Sequence, residues 1–240
     1  MLFRSWGLAA AAYRAGAKLL EHTTVRSIDR APGGFSLDTG QRRLRAREVI
    51  VATDGYSGPA HAALRRRIVP LGSYLIATAP LGDALADELI PHARVLSDTK
   101  NLLFYFRLSE DRRLLFGGRV AFTPTTPAES ARHLASGMRV VFPQLRDVPV
   151  EYTWSGKVGF TRDQLPHAGV CDGVHYALGY CGHGVAMATF LGARLGAMLA
   201  GRGDLLPFSQ LGFPAVPLYD GRPWFLPLVG AYYRVVDRFA

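Results

Sequence analysis

The chain has 240 residues, 49% of them hydrophobic and 20% charged, which suits a folded soluble domain or part of a larger fold. Its formal net charge of +9 raises the question of an anionic partner. The basic residues, however, fall in separate stretches (Arg42, Arg43, Arg45 and Arg47; Arg65 to Arg67; Arg112 and Arg113) without interleaved aromatics, so solvated faces are favoured over a nucleic-acid surface.

Leu8 to Leu20 is Ala-rich, with Leu8, Ala12, Ala15 and Leu19 at helical spacing, and predicts a helix with an apolar stripe. MLFRSWGLAAAAYRAGA superficially resembles a leader peptide, but Tyr13 and Arg14 follow too short an apolar run. Thr24 to Asp29 and Phe35 to Asp38, joined at Pro32, Gly33 and Gly34, read as a hairpin. The short apolar run EVIVA, Glu48 to Ala52, reads as a strand buried on both faces of a parallel sheet, where ligands gather at strand ends. IVPLGSYLIAT, LLFYFRL and RLLFGGR, between Arg67 and Arg119, predict an antiparallel sheet, with a helix over Asp83 to Ile90. Pro127 to Phe142 reads as a helix, Glu151 to Phe160 as a strand, and Val174 to Tyr180 as another strand after a turn-rich link.

The helix that follows places Gly184, Ala188, Gly192, Gly196 and Ala200 four apart, a smooth ridge suited to close approach of a sheet or another backbone. No apolar run reaches membrane-spanning length, since Arg194 interrupts the most helical one, and no stable membrane insertion is expected. Cys171 and Cys181 make neither a disulfide framework nor a zinc spacing, so no metal is expected and a reducing cytoplasm is the default location.

The strongest local signal is Gly179, Tyr180, Cys181, Gly182, His183, Gly184, between a buried strand and a helix start. Glycines let backbone N–H groups come close to a ligand, and the helix N-terminus favours negative charge, which suits a flat anionic group. A tight turn without a ligand satisfies the same residues.

The helix ending in AGAKLLEHTTV, the strand VIVATDGY, FPQL from Phe142, YTWSGKVGFTRDQLPHAG from Tyr152 and GYCGHGV, in that order, resemble the C-terminal part of FAD-dependent oxidoreductases of the D-amino-acid oxidase superfamily. With the tail PLYDGRPWFLPLVGAYYRVVDRFA, the chain is most similar to the gamma-glutamylputrescine oxidase-like members. The resemblance implies an α/β (α+β) fold in which the C-terminal part of a Rossmann-like FAD-binding domain is interleaved with an antiparallel-sheet substrate domain. It implies a division into residues 6–66 (partial FAD-binding domain), 67–150 (substrate sheet), 151–203 (FAD-binding domain, C-terminal part) and 204–240 (tail).

FAD is the cofactor implied. Val25 would contact the adenine region, Ala52 and Thr53 would pack on the dinucleotide, and Gly182, His183, Gly184 and Val185 would lie along the flavin ring, with Gly156 and Trp154 flanking it. Val25 and Ala52 are otherwise core residues, and His183 otherwise caps its helix. The implied reaction takes a hydride from an amine-bearing carbon to flavin N5, with imine hydrolysis and oxygen or another carrier as final acceptor. His183 and Arg119 are the candidate catalytic residues, with Arg119, Tyr105 and Arg107 the candidates to hold a substrate carboxylate. The strand that attaches flavin through a Cys in some relatives has no Cys here.

The strand, GxGxxG turn and helix that hold the FAD pyrophosphate do not appear in the sequence, a gap of roughly 150 residues on domain-size grounds. MLFRS can be encoded by ATGCTCTTCCGATCT, whose latter part is a common sequencing-adapter sequence, so the native frame is expected to continue upstream of Trp6. The rival expectations are a catalytically silent fragment or interaction module unable to bind FAD alone and, on charge alone, a binder of anionic ligands. An amine or amino acid is the expected small-molecule partner, nucleic acid is not expected, and homo-oligomerisation is open. The aromatic tail, with Trp224, Phe225, Leu226, Tyr232, Tyr233 and Phe239, is expected to pack on its own domain before serving as a subunit interface or membrane contact.

Overall fold

The computed structural model describes residues 2–118, 126–203 and 206–237, with side chains from residue 5 onward. In chain order these form α1 (Leu2–Arg14), β1 (Ser27–Ala31), β2 (Gly34–Asp38), β3 (Arg43–Ala46), β4 (Ile50–Val51), α2 (Ala62–Arg65), β5 (Val69–Thr78), α3 (Asp83–Leu89), β6 (Leu96–Ser97), β7 (Phe104–Leu108), β8 (Leu114–Gly118), α4 (Pro127–Val141), β9 (Val150–Phe160), β10 (His167–Cys171), β11 (Val174–Leu178), α5 (Gly184–Leu199) and α6 (Leu226–Val236). They group into two units, residues 1–69 with 159–221 and residues 70–158 with 222–240.

The first unit holds two three-stranded sheets. β1, β2 and β3 form an antiparallel meander, so the predicted hairpin gains a third strand from the Arg-rich segment after Gly40. The second sheet has the order β10-β11-β4, with β10 antiparallel and β4 parallel to β11. Because β11 is the only strand beside β4 among the described residues, β4 is an edge strand, shorter than EVIVA predicts. Ile50 is 46% exposed and Ala52 is exposed, which corrects the expectation of burial on both faces.

Leu191 and Leu195, one helical turn apart, turn α5 toward the core formed with Ala168, Ala177, Tyr180 and Leu206. Gly184, one end of the small-residue row, stays near that face, where a Cβ would meet Tyr180 at 3.5 Å, while Gly192 and Gly196 turn away from it. A Cβ added at Gly192 or Gly196 would meet nothing within 4 Å, so the expected close approach at these two positions is not made by any described residue. The α1 stripe is likewise uncovered, with Leu8 52% and Leu19 51% exposed, and the helix stops earlier than its composition predicts, as Gly16 takes φ +94°.

The second unit is an antiparallel sheet of order β6-β7-β8-β5-β9, as the middle segment predicts. Alternation sends Phe104, Phe106 and Leu108 to one face, where Phe106 stacks on Phe116 with ring centroids 5.5 Å apart and Phe142 meets Phe106 edge-on. Leu134 and Met138 of α4 complete this core, fully buried. A capping box starts α4: Thr126 Oγ1 accepts the Glu129 N–H, and the Glu129 carboxylate accepts the Thr126 N–H.

The tail is divided between the units. Tyr219, in the first, donates its hydroxyl to the Ile68 carbonyl at 2.9 Å, and burial pushes its pKa up to about 12. α6, in the second, ends on Asp237, whose carboxylate accepts the N–H groups of Asn101 (3.0 Å) and Leu102 (2.9 Å) and the Asn101 side-chain amide (2.8 Å). Phe239 lies outside the described residues. Desolvation pushes the Asp237 carboxyl up, but these hydrogen bonds and the nearby Lys100 charge outweigh it and hold its pKa below the ordinary carboxylate value.

The anchoring of α6 is therefore complete above the ordinary carboxylate pKa and is lost as pH falls through the depressed folded value. Hydrogen exchange should show amides 226–236 losing protection in Asp237→Asn at neutral pH, and in the parent chain only on acidification, while α4 amides stay protected. Equal protection of α6 in both proteins at neutral pH would show that Asp237 does not hold the helix.

Candidate functional site

The segment after β11 folds into a loop that few sequences permit. Gly179 has φ +76°, Cys181 +51° and Gly182 +101°, three left-handed residues within four positions. At Gly179 a Cβ would stand 2.2 Å from Thr161 Cγ2, so both the dihedral and the space demand glycine. At Gly182 a Cβ would meet nothing within 4 Å; there only the dihedral is demanding, and the backbone faces open space.

The loop is held from beneath by Asp54, just after β4. Its Oδ1 accepts the Gly179 N–H at 2.8 Å and the Tyr180 N–H at 3.4 Å, while Oδ2 accepts the Gly159 N–H at 2.9 Å. A Cβ on Gly159 would lie 2.6 Å from Oδ1, so that glycine is what lets β9 reach the carboxylate. Cys181 adds its N–H to the Gly159 carbonyl at 3.1 Å. One carboxylate thus fixes the end of β4, the end of β9 and the start of the loop. Tyr180 is buried with its hydroxyl on the Ala177 carbonyl at 2.7 Å; burial, reinforced by the Asp54 charge, pushes its pKa up to about 12, so it stays a neutral donor. Asp54 carries little signal in the sequence. Its only signal was an Asp directly after a parallel strand, because its partners lie 105 and 125 residues away.

The loop delivers the chain to α5 at His183, the N-cap, which is exposed and makes no side-chain capping hydrogen bond. The capping role considered for His183 is thereby set aside. An α-helix leaves its first N–H groups without intrahelical acceptors and carries partial positive charge at that end. Here that end is flanked by Gly182 and Gly184 and is exposed at His183 and Val185. At Gly182 it leaves room for a flat, electron-rich edge, with the His183 and Val185 side chains beside it.

The other expected site residues are placed as follows. Val25 is half-buried just before β1, and Thr53 is exposed beside Ala52 after β4, all in the unit that holds the loop. Gly156 is half-buried in β9 and Trp154 is 44% exposed, both in the second unit. Tyr105 and Arg107 lie on the sheet face away from the Phe104–Phe106–Leu108 core. Tyr105 sits over Gly117, where a Cβ would come 2.2 Å from its ring, and its hydroxyl is 2.7 Å from Ser73 Oγ. Arg107 Nε donates to the Leu108 carbonyl at 3.1 Å. Arg119 lies outside the described residues.

Residues 5–198 match the family model for FAD dependent oxidoreductases (DAO). The chain is 33% identical over 240 residues to a probable oxidoreductase OrdL of Rhizobium meliloti, covering 97% of this chain and 55% of that protein. It is 35% identical over 225 residues to the gamma-glutamylputrescine oxidoreductase of Escherichia coli, covering 91% and 50%. The chain thus spans about half the length of the curated relatives it matches. Among solved structures it resembles glycine oxidase from Geobacillus kaustophilus (TM-score 0.69, 20% identity, 86% of this chain and 56% of that one). It also resembles L-proline dehydrogenase from P. horikoshii (TM-score 0.66, 21% identity, 83% and 55%). At these identities the likeness is one of fold.

Asp54→Ala leaves the buried Gly159 and Gly179 N–H groups without their acceptor and should cost about 1–3 kcal/mol. It should lower the urea midpoint with the slope unchanged. A midpoint equal to that of the parent chain would mean the clamp contributes nothing.

Proposed function

Since this chain belongs to the DAO family of FAD-dependent oxidoreductases, we propose that it supplies the flavin-edge loop and the substrate sheet of an enzyme that oxidises an amine or amino acid. The observation that carries the proposal is the uncapped start of α5, flanked by glycines and held in place by Asp54. Exposed N–H groups, a helix dipole and the absence of any atom within 4 Å of a Cβ at Gly182 fit the edge of an isoalloxazine that gains negative charge on reduction.

Gly182, His183, Gly184 and Val185 would lie along that edge, the His183 N–H being already donated to the Tyr180 carbonyl at 2.9 Å, while Val25 would lie near the adenine and Ala52 and Thr53 against the dinucleotide. When bound, FAD supplies the acceptor for the two electrons and the hydrogen that leave the amine-bearing carbon. The chain's own share is positioning. The exposed imidazole of His183 stands at the mouth of the loop, free of a capping duty, where it can orient the substrate amine.

Tyr105 and Arg107, both on β7, and Arg119 would serve the substrate side, while Gly156 would flank the flavin ring. The Tyr105 hydroxyl, already oriented by Ser73, and an arginine fork suit a carboxylate. An amine or amino-acid substrate is further supported by the E. coli relative, described as a gamma-glutamylputrescine oxidoreductase. Oxygen and another electron carrier are equally compatible with these residues as final acceptor.

A second reading, that the chain cannot hold FAD by itself, is favoured by the edge strand β4 with Ile50 46% exposed and by the uncovered Gly192 and Gly196 of α5. The pyrophosphate-binding part would then come from outside the 240 residues. Both readings are tested by joining this chain, from Trp6, to the part of the E. coli relative that it does not span, and measuring bound flavin in the folded chimera and in the chain alone. The chimera should carry flavin that an added amine bleaches under anaerobic conditions. Gly182→Val should weaken FAD binding at least about tenfold, or about 1.4 kcal/mol. A folded chimera without flavin, or one indifferent to the valine, would contradict the assignment; flavin bound by the chain alone would remove the second reading.

A further inference from the structure

Away from the flavin-edge loop, three side chains of different donor chemistry meet within the first unit. His61 stands at the N-cap of α2, Cys171 ends β10, and Asp172 opens the turn to β11. One ligand atom from each lies within 4.8 Å of the others. We propose that His61, Cys171 and Asp172 form a binding site for a divalent cation of the zinc class, which ties α2 to the β10–β11 turn.

Each ligand is carried by a defined piece of backbone. Cys171 pairs with Val174 across a two-residue turn, and Asp172 (φ +51°) with Gly173 (φ +75°) gives it the left-handed pair that fits a tight hairpin. Cys171 Sγ lies 3.8 Å from Asp172 Oδ2. The His61 ring is held at two points, Nδ1 accepting the Leu64 N–H at 3.4 Å and Nε2 lying 3.3 Å from the Cys171 carbonyl oxygen. The imidazole therefore already reaches the backbone of the residue whose sulfur it would share a cation with. Two guanidinium groups stand beside the turn: Arg67 donates to the Ala63 and Phe213 carbonyls, and Arg30, 4.6 Å over the Phe35 ring, packs against Gly173, where its charge favours the anionic forms of Cys171 and Asp172.

The donor set selects the cation. A thiolate, an imidazole and a carboxylate together suit zinc and cobalt, whereas calcium and magnesium prefer oxygen alone. With metal–ligand bonds of about 2.0–2.3 Å, tetrahedral donors stand about 3.3–3.8 Å apart; the Sγ–Oδ2 separation of 3.8 Å already suits this, and the other separations, all within 4.8 Å, close by at most about 1–1.5 Å. Rotation of the exposed Asp172 side chain supplies much of this movement. On binding, a sulfur–metal bond forms and the thiol proton goes to solvent. The imidazole proton passes through solvent from Nε2 to Nδ1, so the contacts to the Cys171 carbonyl and from the Leu64 N–H are both given up for a coordinate bond at Nε2. No electron is transferred, the two anionic ligands balance the dication, and water takes the fourth position. Sequence spacing hides the site, because His61 is 110 residues from Cys171.

The test is a cobalt(II) titration of the 240-residue chain and of three variants that keep the backbone features intact. His61→Asn retains an N-cap residue, Asp172→Asn retains a turn residue that tolerates positive φ, and Cys171→Ser is nearly isosteric; circular dichroism checks that each is folded. The parent should bind one equivalent with a near-ultraviolet thiolate-to-cobalt charge-transfer band that zinc displaces. Cys171→Ser should lose that band, and His61→Asn and Asp172→Asn should weaken binding about 10–100-fold, at least the range seen on losing outer-shell support. A parent without the band, or variants of His61 and Cys171 that bind cobalt as the parent does, would overturn the proposal. No flavin enters the measurement, so its failure leaves the flavin-edge assignment standing, and failure of that assignment leaves the metal site standing.

Discussion

The first unit depends on the Asp54 carboxylate. A loop with three positive φ values in four residues has few ways to satisfy its own backbone, and those it lacks are supplied by two oxygens placed at the end of a two-residue strand. The Gly179 and Gly159 N–H groups are buried, so their acceptor must come from the protein. Because the same carboxylate meets both, the position of the loop relative to β4 and β9 is set by hydrogen-bond lengths rather than by apolar packing, which tolerates more slip. The consequence is directional. With Gly179 fixed, the chain passes through Cys181 and Gly182 to His183, whose N–H returns to the Tyr180 carbonyl at 2.9 Å, and α5 starts without a side-chain cap.

In this account side chains build the support and backbone makes the contact. Leu191, Leu195 and Ala177 hold α5 against the sheet, and Tyr180 locks the loop base through its own strand. At the start of α5 the two glycines, 182 and 184, alternate with the exposed side chains of His183 and Val185. That division fits a family in which the reactive electronics belong to the cofactor. In the second unit, considered by itself, the strict alternation of β7 separates a phenylalanine core from a polar face. Tyr105 rests on that face over Gly117, positioned by Ser73.

Much of this was legible in the sequence where the signal is local. The β5, β7 and β8 runs and the α3, α4 and α5 helices follow from apolar period and Pro127, whereas the Thr126–Glu129 capping box emerges only in the structure. What stayed hidden depends on partners far along the chain. EVIVA reveals a strand, but not that Ile50 would be exposed, since burial belongs to the neighbours. The small-residue ridge of α5 is visible, yet Leu191 and Leu195 decide which side faces the core, and they turn Gly192 and Gly196 outward. His167–Cys171 reads as a turn-rich link until its antiparallel pairing with β11 is known. α6, inside an aromatic tail, is anchored by Asp237 to a loop more than a hundred residues earlier. The glycines at 179, 182 and 184 flagged the candidate site, whereas Asp54, which orders it, looked like one more turn residue.

A structure of the flavin-loaded chimera tests the central claim most directly. The account predicts the isoalloxazine edge against the backbone of Gly182 to Val185, with Asp54 still accepting the Gly159 and Gly179 N–H groups. A flavin seated away from this loop, or a loop reached only after the Asp54 hydrogen bonds have broken, would contradict it.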